Sequence, residues 1–137
     1  NKLFKKLIES KKIFFEIKNL FELRNQLIFK IKNNSYYDYN KIYIFGFGIT
    51  GRTVFHVLKS NDVKIDGFID NDKNLLGGIY LDKKIFNPKY LKSTINRKAN
   101  NILVIICQNE KKASNEIIQQ LKNIGSRNIN IKIINTF

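Results

Sequence analysis

Lys41 to Gly51 reads KIYIFGFGITG, a short apolar run that passes directly into glycines. Gly46, Gly48 and Gly51 have the G-x-G-x-x-G spacing, and an amphipathic helical pattern follows from Thr50 to Ser60. The glycine spacing alone is weak evidence. A strand, a glycine turn and a helix in that order are nevertheless typical of a unit that binds the phosphates of a nucleotide.

The chain after this stretch alternates between apolar runs and helical patterns, which predicts βαβ units and a parallel sheet. Further strands are predicted at Val63 to Ile69, at Asn101 to Cys107 and at Ile129 to Ile134. Ile79 to Leu81 and Lys84 to Phe86 are expected to form a hairpin or a short edge strand. Helices are predicted at Pro88 to about Leu91 and at Lys111 to Ile124, with Gly125 at the C-terminal cap. Right-handed crossovers then give a doubly wound α/β fold with the strand order 3-2-1-4-5.

In such a sheet, a ligand binds outside the carboxyl ends of the strands, where the strand order reverses. Gly46 ends the first strand and therefore lies at this point. The turn needs Gly46 for its tight bend, Gly48 for the approach of a pyrophosphate, and Gly51 for close packing of helix on strand. We expect the N–H groups of Ile49, Thr50 and Gly51 to meet an anion at the helix start. The side chain of Arg52 adds a positive charge beside them.

A carboxylate at the end of the second strand is the other expected part of this site. Asp70 follows the strand and lies 19 residues after Gly51. Its carboxylate would accept hydrogen bonds from ribose hydroxyls and repel a 2′-phosphate, which favours NAD or a UDP-sugar over NADP. The alternative is that the Asp-Asn-Asp sequence is a surface turn that caps the strand. No catalytic residue is predicted, because no nucleophile, base or carboxylate pair has a partner at a suitable spacing.

The first 33 residues read as one long amphipathic helix without Gly or Pro, residues 34–40 as a polar linker, and residues 41–137 as the α/β domain. The apolar stripe of the helix is broad, so it is expected to pack on protein: on this domain, on a neighbouring domain or on a second copy of the chain. Because its other face is rich in Lys, a membrane surface is an alternative, although a less favoured one.

Composition limits the class of protein further. The chain has 137 residues, one Cys and one His, so an internal disulfide is excluded and a metal site is not expected. With no run of about 20 apolar residues to span a membrane, a cytoplasmic location fits best. The net charge is +14. Its Lys pairs are scattered along the chain, so nucleic acid is a less favoured partner than the charge alone would indicate.

Three segments together resemble the small Rossmann domains of bacterial surface-polysaccharide biosynthesis: IYIFGFGITGR, DGFIDNDKNLLGG and KIFNPKYL. Such domains stand at the N-terminus of capsule-type nucleotide-sugar dehydratases and of hexapeptide-repeat sugar acyltransferases. The resemblance implies a nucleotide-binding domain within a larger protein and adds Asn71 to the binding residues. The catalytic domains of those proteins have no counterpart here. The competing hypothesis is a non-catalytic interaction module that acts through its N-terminal helix.

Overall fold

The computed structural model of the chain describes residues 1–11, 22, 25–26, 39–95, 101–108, 110–125 and 131–135. The strands are β1 (Lys41–Phe45), β2 (Gly67–Ile69), β3 (Ile79–Tyr80), β4 (Lys83–Phe86), β5 (Ile102–Ile106) and β6 (Ile131–Asn135). The helices of this α/β part are α1 (Ile49–Lys59), α2 (Lys89–Ile95) and α3 (Lys111–Ile124), with a 3₁₀ helix at Lys73–Leu75.

The strands form one sheet in the order β3-β4-β2-β1-β5-β6. All neighbours are parallel except β3 and β4, which form an antiparallel hairpin at one edge. Counted along the chain, the five parallel strands have the order 3-2-1-4-5. The doubly wound α/β class and the strand order predicted from the sequence are therefore confirmed.

The sheet is covered on both faces, which explains why β5 reads as an unbroken apolar run. Every residue of Ile102–Ile106 has an exposed fraction of 0%. Leu103 and Ile105 pack in the core beneath α1. Ile102, Val104 and Ile106 pack in the core beneath α2 and α3. Because side chains alternate across a strand, a strand with helices on both sides has no position left for a polar residue.

The structure differs from the sequence prediction at the start of β2, which is Gly67 and not Val63. In the stretch before it, the Val63 N–H donates to the Leu58 carbonyl at the end of α1. The Asp66 N–H donates to the Ile42 carbonyl, and the Ile42 N–H donates to Asp66 Oδ2. The Asp66 side chain therefore takes the place that a backbone carbonyl would have in the ladder, and regular pairing starts one residue later.

The edge hairpin lies close to its predicted position, with a turn at Leu81 and Asp82. Both residues have positive φ, 46° and 67°, which is the backbone of a two-residue hairpin turn that favours Asn and Gly. Gly125 caps α3 as predicted, with its N–H donating to the Leu121 carbonyl. Its φ of −91° means that this cap does not use the left-handed conformation that usually selects glycine.

The N-terminal segment is helical over residues 2–11, and most of the predicted long helix lies outside the described residues. Four apolar side chains of residues 2–11 share one face and are 41–68% exposed: Leu3, Phe4, Leu7 and Ile8. Of the predicted linker, Tyr39 packs on the core beneath α1, and Asn40 exchanges hydrogen bonds with Asn101 at the start of β5. Among the described residues, no helix has the length and apolar character that crossing a membrane requires.

Candidate functional site

Gly46 and Gly51 are required by the geometry of the turn between β1 and α1. Gly46 has a φ of 115°, and a Cβ there would lie 2.9 Å from the Cys107 carbonyl oxygen. A Cβ on Gly51 would lie 1.7 Å from the Gly46 carbonyl oxygen, a distance that no side chain tolerates. The first glycine therefore lets the chain bend away from β5, and the third lets α1 start directly against β1.

Gly48 has no comparable structural reason to be glycine. Its φ of −91° and ψ of −167° are extended values that any residue adopts. A Cβ added to it meets no heavy atom within 4 Å. Gly48 is the N-cap of α1, a position where Ser, Thr, Asp or Asn would satisfy a free N–H group, yet no side chain caps this helix. What the glycine provides is open space in front of the helix start.

The first turn of α1 leaves its N–H groups available at this open space. The Arg52 N–H is the first to bond within the helix, to the Gly48 carbonyl at 3.0 Å. The N–H groups of Ile49, Thr50 and Gly51 precede it and have no acceptor within the helix. No acidic residue lies in the first turn, and the Ile49 side chain is 78% exposed. The helix start thus presents donors and a positive dipole end without an internal anion.

Arg52 lies beside this turn and is held there by two contacts. Its Nε donates to the Gly48 carbonyl at 3.3 Å, and its guanidinium carbon lies 5.5 Å from the centre of the Phe47 ring. The ring is held edge-on by Phe68 and Tyr80, at centroid distances of 5.0 and 5.4 Å. A cation over an aromatic face is a favourable arrangement, and it leaves the two terminal NH2 groups of the guanidinium available to an anion.

Asp70 directly follows β2, as predicted, and both of its carboxylate oxygens accept hydrogen bonds. The Phe47 N–H donates to Oδ2 at 2.9 Å, and the Asp72 N–H donates to Oδ1 at 2.8 Å. Asp70 therefore both closes its own turn and holds the glycine turn. Each carboxylate oxygen has a further lone pair, so an additional donor such as a ribose hydroxyl remains compatible with these bonds.

Asn71, the last of the sequence-derived binding residues, points to a different partner. Its amide exchanges two hydrogen bonds with the Gln120 amide of α3, at 3.1 and 3.0 Å. Since α3 packs on the face of the sheet opposite α1, the Asn71 side chain lies away from the glycine turn. Seven of the eight predicted residues lie in the turn between β1 and α1, in the first turn of α1 or bonded to them, whereas the Asn71 side chain turns to the face that α3 covers.

Sequence reasoning missed the aromatic residues beneath this opening. Phe47, Phe55, Phe68 and Tyr80 pack edge-on or tilted, with neighbouring centroids 5.0–6.0 Å apart. Tyr80 also bonds to His56 Nε2 at 2.7 Å, which ties the edge hairpin to α1. The only sequence signal for this cluster is the number of aromatic residues near the turn.

The described residues contain no group of three or more His, Cys, Asp or Glu side chains that could bind a metal ion. Cys107, the one cysteine, is buried beside Gly46. A shallow groove of about 350 Å³ lies between α2 and α3, on the opposite face from the glycine turn. The residues that line it are Pro88, Lys89, Lys92, Gln120, Asn123 and Ile124.

Comparisons with known proteins support the fold. The model of the family described as C2185-like, N-terminal, matches residues 38–134, more than half of the chain. A search of curated proteins gave no match. UDP-D-quinovosamine 4-dehydrogenase from Vibrio fischeri is similar in structure, with a TM-score of 0.55 and 21% identity over 69% of this chain and 75% of that one.

Two further similar structures are those of RSP, a Rex-family repressor. One has a TM-score of 0.53 and 20% identity, and covers 69% of this chain and 44% of the repressor. A second, of RSP in complex with β-NADH, has a TM-score of 0.52 at the same identity and coverage. This chain therefore spans less than half of the repressor. At these identities the likeness establishes a Rossmann-like fold.

Proposed function

The chain belongs to the C2185-like, N-terminal family, and we propose that it is a nucleotide-binding domain whose ligand is NAD or a UDP-sugar. The observation that carries the proposal is the open space at Gly48. The fold requires the other two glycines of the turn, but it does not require this one. A diphosphate placed there would accept hydrogen bonds from the uncapped start of α1, which explains why a glycine occupies the N-cap.

The remaining residues of the opening fit the two halves of such a ligand. Ile49, Thr50 and Gly51 supply N–H donors for the diphosphate, and the Arg52 guanidinium supplies a positive charge next to them. Asp70 supplies the acceptor for ribose hydroxyls while retaining its bond to the Phe47 N–H. A negative carboxylate at this position disfavours a 2′-phosphate, so NADP is expected to bind more weakly than NAD.

The comparisons support this choice of ligands without deciding between them. One similar structure contains β-NADH, and another is named for a dehydrogenase of a UDP-sugar. Together with the resemblance of the glycine turn and of the GFIDND strand end to surface-polysaccharide proteins, they support a setting in bacterial surface-glycan or sugar biosynthesis. In this proposal the chain is a cytoplasmic domain of a larger protein or assembly, and the chemistry lies in another part of that assembly.

Calorimetric titration at about 150 mM salt tests the proposal with NADH, NAD, NADP and a UDP-sugar. We expect saturable binding of NADH or the UDP-sugar, and weaker binding of NADP. A protein of charge +14 attracts any polyanion, so inorganic pyrophosphate serves as a control for charge alone. Absence of binding to every nucleotide at millimolar concentration would refute the proposal, as would equal affinities for the nucleotides and pyrophosphate.

The second candidate function is that of an interaction module, and the exposed face of the N-terminal segment favours it. Leu3, Phe4, Leu7 and Ile8 are all exposed on one side of a helix, and such a stripe gains stability only when something covers it. We propose that the stripe packs on protein, either a second copy or a neighbouring domain.

A double variant of the full chain tests this candidate. Phe4→Gln with Leu7→Gln removes the apolar surface, and Lys2→Gln with Lys6→Gln is the control on the same helix. Light scattering after size exclusion should show a smaller particle for the first variant and an unchanged one for the second. A wild-type chain that is monomeric at every concentration would exclude the second copy as the partner.

A further inference from the structure

The turn after β2 is attached to both sides of the sheet by consecutive residues. Asp70 reaches the glycine turn through the Phe47 N–H, on the face that α1 covers. Asn71 reaches Gln120 on α3, which packs on the other face. The Asp72 N–H closes the turn back onto Asp70. The segment that carries the proposed ribose acceptor is therefore hydrogen-bonded on both faces of the sheet.

We infer that Gln120 is a positioning residue for the glycine turn, although 49 positions separate it from Asn71. It acts by fixing the Asn71 side chain, which limits the rotation of the adjacent backbone and keeps the Asp70 carboxylate aimed at the Phe47 N–H. This inference rests on the proposed function only in taking the turn that Gln120 fixes to be part of a nucleotide site. The link itself is a property of the ligand-free protein.

The side-chain amides of Asn71 and Gln120 form a reciprocal pair, which distinguishes Gln120 from the other amides of α3. Both amides donate and both accept, so the pair forms two bonds with opposite directions, 3.1 and 3.0 Å long. Both bonds are exposed, but two bonds of opposite direction restrain the rotation of both side chains more than one bond does. Gln119 offers the contrast. Its amide donates to Asn123 Oδ1, one turn further along the same helix, and does not reach the β2 turn.

Amide hydrogen exchange in the absence of ligand tests the link directly, with Gln120→Ala compared with Gln119→Ala. Both variants lose one exposed amide from α3 and keep the net charge. Gln120→Ala should speed the exchange of the Phe47 and Asp72 N–H groups by roughly threefold to tenfold, because loss of the pair lets the turn open more often. Gln119→Ala should leave them unchanged. Equal exchange in the two variants would overturn the inference.

Nucleotide affinity supplies the second measurement. Gln120→Ala should weaken the binding of NADH or a UDP-sugar by roughly threefold to tenfold, with an unchanged melting temperature, whereas Gln119→Ala should bind as the wild type does. In an Asp70→Asn background the effect of Gln120→Ala should disappear, because the residue acts through that carboxylate. An equal loss in both backgrounds would overturn the inference. If the wild-type chain binds no nucleotide, the proposed function fails, and the exchange experiment alone decides the role of Gln120.

Discussion

Replacing Gly48 with Ser should separate the stability of the domain from its ability to bind a nucleotide. The backbone at this position has φ −91° and ψ −167°, which suits a serine N-cap. No heavy atom lies within 4 Å of the new Cβ, so packing is undisturbed. The serine hydroxyl can accept a hydrogen bond from the first turn of α1. We therefore expect the free energy of unfolding to rise by a few tenths of a kcal/mol, roughly the difference between Gly and Ser at an N-cap.

The same change should weaken ligand binding for two reasons. The hydroxyl occupies the space proposed for the diphosphate, and it accepts a hydrogen bond from one of the N–H groups that would otherwise bind the diphosphate. Loss of one hydrogen bond to a charged group costs roughly 1.5–3 kcal/mol. That energy corresponds to a dissociation constant about tenfold to about a hundredfold larger. Since Gly48→Ser leaves the net charge at its wild-type value, general attraction between the basic chain and an anion is the same in both proteins.

Gly51→Ala is the matched substitution in the same turn, and it should lower the free energy of unfolding instead of raising it. Its Cβ would lie 1.7 Å from the Gly46 carbonyl oxygen, so β1 and α1 must separate. The cost should reach or exceed the upper end of the roughly 1–3 kcal/mol that is typical of overpacking. Urea unfolding and calorimetric titration of the three proteins provide both quantities. If Gly48→Ser binds the ligand as tightly as the wild type, the diphosphate does not lie at this helix start, and the reasoning from the open space is wrong.

Four further substitutions, of which Lys64→Ala is a control, test by urea unfolding how the fold is held together. Asp66→Ala should lower the free energy of unfolding by about 2 kcal/mol, because the buried Ile42 N–H loses a charged acceptor, whereas Lys64→Ala should have little effect since its ion pair is exposed. Leu81→Asn should raise it by up to about 1 kcal/mol, because Asn tolerates a φ of 46° better than Leu does. Leu103→Ala should lower it by roughly 2–5 kcal/mol, because this fully buried side chain lies in the central strand. A loss of stability in Leu81→Asn, or comparable losses in Asp66→Ala and Lys64→Ala, would contradict these assignments.

The sequence predicted correctly those elements in which the same burial requirement repeats along the chain. An apolar run with no polar position requires a strand covered on both faces, and Ile102–Ile106 meets that requirement at every residue. The bounds of α3 follow in the same way from its apolar period. The start of β2 could not be predicted, because it depends on the bond between the Asp66 carboxylate and the Ile42 N–H. No local pattern distinguishes that aspartate from one that faces solvent.

The candidate site was likewise predictable only in part. Spacing alone placed Asp70 at the end of β2, because parallel strands end at a common edge and the length of one βα unit fixes the distance. Spacing could not show that both oxygens of its carboxylate are engaged, because that depends on side-chain torsions. Nor could it show that Asn71 turns to the opposite face of the sheet. Partners that are 49 positions apart on different layers leave no signal in a single sequence.

The bond between Asp70 and the Phe47 N–H makes the two interpretations of that aspartate, strand cap and ribose acceptor, compatible with each other. A strand cap and a ribose acceptor were alternatives when only the sequence was considered. In the structure, the carboxylate caps its own turn through one oxygen and holds the glycine turn through the other. A carboxylate that moves to meet a ligand would have to give up these bonds, whereas one already fixed by two N–H groups meets the ribose without reorganisation. In the proposed complex, the two N–H bonds to Asp70 would therefore lower the entropic cost of binding a ribose, because the carboxylate is already held in place.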